Sequence, residues 1–450
     1  MSKVFSFLLL LISSFPALAQ WQPVSDPVPV GSVLQGCQLD AINAQTAWFT
    51  NTSYSTPLPT VQVSRTIDGG QTWQNSTPVA PAAGRYTSSI LEAYDSQNAW
   101  LILQRTITVG TTPNLELHYT ADGGATWSRR SLPTVSPRQN MIRFFSLTEG
   151  LLLDQVAGAL YRTTDGGLSW QLQTTTPALS AGQSLSGIHE ASGILWVDVC
   201  DTQAHPIAFW ASTNRGLTWR SQLIPVAPSA VVFRDAQHAL LPTPQRGLLS
   251  SIDGGLTWQN ATAPPCWQNT TTSALRLGPL TAIPGTRAYI AGAENWIGFT
   301  RTNGSAVTYD DGQTWTILES NNSYLSIQFT SPDAGWHIRA SFAAPTWWYE
   351  YEGIGRYVGR PLAARAASTP VVAADVFPNP SPSGTFTVQL PTTAGPISHV
   401  RVLDALGRSI YQAAALPADK RLDLSQQSKG VYSLEVQTST GVVRRKLLVK

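Results

Sequence analysis

The 450-residue chain is 42% hydrophobic and only 12% charged, with 34 Gly, 31 Pro and 16 Trp. Its length allows two or three domains with full cores, and so little charge beside so many aromatics excludes a disordered chain. A formal net charge of +2 leaves no electrostatic case for nucleic acid.

Residues 1–19 read as a secretory signal peptide, with Lys3 in the positive n-region, Phe5 to Ile12 as the apolar core and Ala17-Leu18-Ala19 as a small-x-small cleavage site. Cleavage leaves Gln20 as the mature N-terminus. The apolar run is too short to span a bilayer, and no later stretch reaches the ~18 to 20 residues that would, so no stable transmembrane segment is expected.

From Gln20 to Arg365 one octapeptide, [S/T]-x-[D/N]-x-G-x-[T/S]-W, occurs six times. Its fixed residues are Asp68, Gly70 and Trp73; Asp122, Gly124 and Trp127; Asp165, Gly167 and Trp170; Asn214, Gly216 and Trp219; Asp253, Gly255 and Trp258; and Asp310, Gly312 and Trp315. Asp or Asn can fold onto backbone N–H groups just ahead, and Gly suits a positive φ. Thr or Ser restarts a strand, and Trp drives a large apolar group between neighbouring sheets. The pattern describes a self-anchored hairpin tip with a structural role, with no catalytic centre in it.

A weaker repeat, a polar turn followed by a small or apolar pair, precedes each octapeptide. Its seven copies run from Ala47-Trp48 through Ala99-Trp100, Gly150-Leu151, Leu195-Trp196, Ala239-Leu240 and Ala288-Tyr289 to Gly335-Trp336, a mean period of 48 residues. Alternating strands flank both repeats, and no helical periodicity appears. A period in the high forties with about four short strands per unit predicts an all-β chain with a seven-bladed β-propeller. The seventh unit has no octapeptide, and the mature N-terminus, Gln20-Trp21-Gln-Pro23, resembles the residues that end an octapeptide and start the next strand elsewhere, as in Trp258-Gln-Asn. The N-terminal strand is therefore expected to complete the last blade and close the ring.

The octapeptide resembles the Asp-box, or BNR repeat, of sialidases, sortilin-type receptors, xyloglucan hydrolases and photosystem II assembly factor-like propellers, across Gln20 to about Arg365. The resemblance implies the propeller and is nearly silent on function.

Charge usage changes at Arg365. The stretch before it has 19 Arg, no Lys and 22 acidic residues after Gln20; the stretch after it has 5 Arg, 4 Lys and 5 acidic residues. Residues 366–375 are small and read as a linker. From 376 to 450, a Pro-rich turn precedes six alternating strands, predicting a small C-terminal β-sandwich. This tail resembles the type A C-terminal sorting domain of the type IX secretion system of Bacteroidota. The resemblance rests on Pro378 to Gly384, Val402 to Arg408, Leu422 to Leu424, Lys429 to Leu434 and the basic end Arg444 to Lys450. It assigns sorting-signal roles to Asn379, Pro380, Gly384, Gly407, Gly430, Tyr432, Lys446 and Lys450. It also implies a secretion translocon as partner and an extracellular or outer-membrane-surface destination.

A sialidase needs an arginine cluster and an early Arg-Ile-Pro element, but the first mature arginine is Arg65 and no such element comes after it. A glycoside hydrolase needs two carboxylates at a defined separation, which sequence alone does not place. The run Trp347-Trp348-Tyr349-Glu350-Tyr351 offers a ligand platform for sugar rings or, alternatively, filler for the last blade. The six His are scattered, with His189-Glu190 reading as a solvated turn, and Cys37, Cys200 and Cys266 match no metal or redox spacing. No catalytic residue, cofactor or metal ligand is assigned. The expectation is an exported, monomeric recognition module for a glycan or protein, with a sialidase-like glycoside hydrolase or a scaffold propeller as alternatives.

Overall fold

A computed structural model describes residues 21–34, 37–53, 60–78, 85–106, 114–136, 140–191, 193–203, 205–225, 231–243, 247–267, 278–293, 304–343, 348–358, 375–390, 396–404, 409–438 and 441–450. The signal-peptide region, nearly all of the linker, Trp347 and Gly407 lie outside them. Two compact units divide the chain, Met1–Ala364 and Arg365–Lys450.

The first unit is the seven-bladed propeller. Six blades are four-stranded antiparallel meanders taken in chain order, the first being Gln38–Ala41, Ala47–Ser53, Thr60–Thr66 and Gln74–Ser76. The innermost strands of blades 2 to 6 are Arg85–Ala93, Asn140–Phe144, Ser184–Ala191, Val232–Phe233 and Leu280–Ala282. Blade 7 joins Tyr324–Ser331, Ala334–Ala343 and Trp348–Tyr357 to the N-terminal strand Trp21–Pro23, which pairs Trp21 with Tyr357 and Pro23 with Gly355. First and last strands thus share one sheet, and the ring closes without leaving that edge open. The only described helix is a 3₁₀ turn at Pro265–Trp267.

The cores lie between blades. Trp48, Trp100 and Trp336, three of the five aromatics at the second-repeat position, are fully buried. Each donates its indole N–H to a backbone carbonyl of another blade: Asp95, Gly166 and Asn43 respectively. Trp100 also stacks on Phe144 of blade 3 at 3.6 Å. Burying both the ring and its polar edge in this way combines a large apolar gain with a satisfied donor.

In the second unit, the three-stranded sheet Asp375–Phe377, Thr385–Gln389, Arg421–Asp423 and a four-stranded sheet share one core. The latter runs Ser409–Ala413, Ile397–Leu403, Gly430–Thr438, Gly441–Val449. Alternate residues such as Phe386, Val388, Val400, Val402, Leu434 and Val436 point inward, which is what a two-sheet sandwich requires. The strand Asp375–Phe377 falls partly in the stretch expected to be only a turn.

Candidate functional site

All six octapeptides form the same device. In the first, Thr66 Oγ1 accepts the Gly70 N–H at 2.9 Å and donates to Asp68 Oδ1 at 2.8 Å. Asp68 in turn accepts the Thr72 N–H and hydroxyl at 3.0 and 2.6 Å. These donors, led by the Thr72 hydroxyl, pull Asp68 down to about 2; Asp122, Asp165 and Asp253 fall to about 2 for the same leading reason. Asn214 keeps the pattern by donating its amide to Thr218 at 2.8 Å.

The box also grips its neighbour. Gly255 has φ +84°, and a Cβ there would lie 2.7 Å from Phe209 of blade 4, so conformation and space both require glycine. The residue before it matters equally and was not visible as a rule in the sequence. Gly69, Gly123, Gly166 and Gly254 have positive φ, and so do Arg215 and Asp311 at the same position. Arginines of the preceding blade cross this corner: Arg220 donates to the Gly254 carbonyl, and Arg234 pairs with Asp311 at 2.9 Å.

The box tryptophans are half-buried, and Trp73 and Trp127 pack edge-on against Trp336 and Trp48 of the preceding blade. Trp73, Trp170 and Trp315 donate to the carbonyls of Ser25, Ser131 and Thr262 in the preceding blade, so they staple adjacent outer strands. The complete burial belongs to the second repeat instead.

At the hub, side chains of the innermost strands stitch one blade to the next. Gln328 of blade 7 accepts the Ala41 N–H and donates to the Leu39 carbonyl. Asp40 accepts the Ala93 N–H at 2.7 Å, and Glu92 accepts the Phe144 N–H at 3.1 Å. Arg143 lies 3.5 Å from Glu92 and bonds Glu190 of blade 4 at 3.1 Å. Asp40, Glu92, Arg143 and Gln328 each stand eight residues before the second-repeat position at Trp48, Trp100, Leu151 or Trp336. That fixed offset is the signal that could have revealed the hub.

Asp40, Glu92, Arg143 and Glu190 line a cavity of about 290 Å³. Its wall includes Arg215 of the fourth box, so it opens at the box-bearing end of the channel. Burial pushes Glu92 up to about 8, with Arg143 opposing and Asp40 adding to the rise. Burial likewise raises Asp40 to about 6, against the Ala93 N–H and Arg143. Arg143 is held firmly charged, chiefly by Glu92. Glu190, expected in a solvated turn, sits instead on an innermost strand.

In the aromatic run, the described side chain of Tyr351 follows the reading as filler for the last blade. Tyr351 is fully buried, donating to Asp26 at 2.6 Å and packing against Phe49 of blade 1. Tyr349 is half-buried in a second cavity of about 340 Å³ with Leu34, Cys37 and Ile338. Trp347 and the Trp348 side chain lie outside the described residues. The three cysteines are free, and burial raises Cys37, Cys200 and Cys266 to about 12, 11 and 12.

In the tail, Asn379 donates to the Lys446 carbonyl at 2.6 Å and accepts the Leu448 N–H at 3.0 Å. The Ser381 N–H donates to the Leu448 carbonyl and the Lys450 N–H to the Ser381 carbonyl, so the Pro-rich turn, including Pro380, clamps the C-terminal strand. Gly384 has φ +71°, and a Cβ would meet Ser425 backbone at 2.8 Å. Tyr432 donates to the Ser428 carbonyl at 2.6 Å. At Gly430 a Cβ would meet nothing closer than 4.0 Å. Lys446 and Lys450 are exposed.

Residues 375–450 match the secretion system C-terminal sorting domain family, which assigns the chain to type IX secretion, to the cell surface or beyond. A xyloglucanase of Paenibacillus sp. is 24% identical over 209 residues, 42% of this chain and 18% of that protein. The photosystem II assembly lipoprotein Ycf48 of Synechococcus sp. (strain CC9902) is 30% identical over 117 residues, 26% of this chain and 32% of that protein. The chain thus spans no more than a third of these curated relatives. The solved structure of YCF48 bound to D1 peptide superposes with a TM-score of 0.51 at 18% identity, covering 76% of this chain and 97% of that one. The likeness establishes the propeller fold, and the family match establishes the secretion tail.

Proposed function

We propose that the chain is a secreted or cell-surface recognition module whose propeller binds a glycan or protein ligand, reaching the Sec machinery through residues 1–19 and the secretion translocon through its tail. Asp-box residues hold the propeller of residues 20–365 together, and 366–375 serves as a linker. Recognition is centred on the box-side mouth of the channel. The observation that carries this reading is the stitched hub. Asp40 and Glu92 are each tied to a backbone amide of the next blade, fixing blades 1 to 3 around a polar opening. The YCF48 structure with a bound D1 peptide is a precedent for a peptide-binding propeller of this fold.

A second reading, glycoside hydrolysis, draws on the same two carboxyls, whose raised proton affinity suits a general acid, and on the partial likeness to a xyloglucanase. Glycan and protein arrays probed with the purified full-length chain, with the glycan spots then read by mass spectrometry, separate the readings. Retention on intact glycans or on a protein supports recognition. Shortened glycans support hydrolysis, and blank arrays contradict both.

A further inference from the structure

We infer that the cavity between blades 7 and 1, at the end of the channel away from the boxes, is a binding site for a single uncharged sugar ring. The inference goes beyond the recognition reading, which lies at the other mouth, and does not depend on it. The Gly69 and Gly166 N–H groups of the boxes donate to the Gln45 and Thr148 carbonyls, so the second-repeat turns mark the box side. The cavity is built instead around the opposite ends of the strands Gln38–Ala41 and Tyr324–Ser331. Its volume of about 340 Å³ lies at the small end of the ~300 to 1,000 Å³ range of ligand pockets, which suits one ring.

Two glutamines that line it are held in fixed orientation. Gln38 accepts the Leu91 N–H at 2.9 Å and donates to the Leu91 carbonyl at 2.8 Å. Gln328 accepts the Ala41 N–H at 3.0 Å and donates to the Leu39 carbonyl at 2.7 Å. Each amide thereby spends one N–H and one lone pair and keeps one of each. A register slip between Tyr324 and Ser326 breaks the alternation of that strand, so Leu325 and Ser326 both line the cavity. The Ser326 hydroxyl bonds to no described residue. Leu34, Leu39, Ile338 and the half-buried Tyr349 supply the rest of the wall.

This combination selects the ligand. A hydrocarbon side chain filling the cavity would cover the unspent amide and hydroxyl groups without satisfying them. A sugar ring carries neighbouring hydroxyls that donate and accept, and its C–H face packs on apolar and aromatic walls. Among the described residues no charged side chain lines the cavity, and burial raises Cys37 to about 12, so its thiol stays neutral. A sugar carboxylate would enter without a counter-charge, which disfavours sialic and uronic acids.

The test is saturation-transfer NMR on the full-length chain at neutral pH. The probes are the methyl glycosides of glucose, galactose, mannose and xylose, that of glucuronic acid, and indole. At least one neutral glycoside should bind, and the glucuronide should not. Ser326→Ala should weaken that binding at least about threefold without moving the melting temperature, because the hydroxyl has no described partner to lose. Ser326→Phe, which fills the cavity, should abolish it, and Asp333→Asn, at an exposed turn of blade 7, should change nothing. If Ser326→Phe fails to fold, Ser326→Ala decides alone. Silence from every neutral glycoside, or equal binding of the glucuronide, would overturn the site. Tighter binding of indole than of any glycoside would assign the cavity to an apolar side chain and overturn it as well. Equal glycoside binding by wild type and Ser326→Phe would overturn it too, while leaving the box-side reading intact.

Discussion

At the rim of the propeller, Asp68, Asp122, Asp165 and Asp253 accept hydroxyl and amide protons from residues within four positions of themselves, and their carboxyls fall to about 2. At the hub, Asp40 and Glu92 take one amide each from the next blade under burial, and rise to about 6 and about 8. The same chemical group is thus fixed in its charged form where donors are local and plentiful, and driven toward its neutral form where burial outweighs them. Local donors keep the rim carboxyls charged, and burial holds the hub carboxyls close to neutrality.

The largest expected effect sharpens the contrast between tryptophans. Trp100→Ala, deleting a fully buried ring stacked on Phe144, should cost ~3 to 5 kcal/mol in denaturant unfolding. Trp170→Ala, at a half-buried rim position, should cost clearly less. Equal losses would erase the distinction between staple and core. Gly255→Ala comes next, at ~1 to 3 kcal/mol, because it combines positive φ with a clash against Phe209. Gly430→Ala, with open space around it, should stay within about 0.5 kcal/mol.

In the tail, Asn379→Ala removes both bonds to the C-terminal strand and should cost ~1 to 2 kcal/mol, with reduced surface delivery in the native host measured by cell-surface proteolysis. Smallest is Asp122→Asn, since Asn214 already fills this position in blade 4. Its melting curve should overlay the wild type at pH 2, and a small wild-type advantage should develop between about pH 2 and pH 4 and hold above it.

Legibility in the sequence divides along the same line. The box is a contiguous eight-residue device, so its turn chemistry repeats in the chain, and seven copies of the second repeat set the blade count. Ring closure was legible because Trp21-Gln-Pro23 resembles the strand after a box. The hub was not, because each blade contributes one residue and those residues differ: Asp40, Glu92, Arg143, Gln328. Their union depends on blades about 50 residues apart in sequence meeting at one axis. The aromatic run left two readings open, a ligand platform or filler for the last blade, and Tyr351 follows the second. Alternation along Trp348–Tyr357 turns Tyr351 into the interface with blade 1, where packing demand prevails over any ligand face.

The central claim is that hub carboxyls are poised and rim carboxylates are committed, and thermal stability against pH for wild type and Glu92→Gln tests it most directly. A carboxyl raised from about 4.5 to about 8 on folding is protonated in both states at low pH, so its cost to stability sets in above about pH 4.5 and is complete near pH 8. The account predicts that Glu92→Gln gains melting temperature relative to wild type across that window and holds the gain at higher pH. Parallel curves, or a variant that loses ground as pH rises, would contradict it.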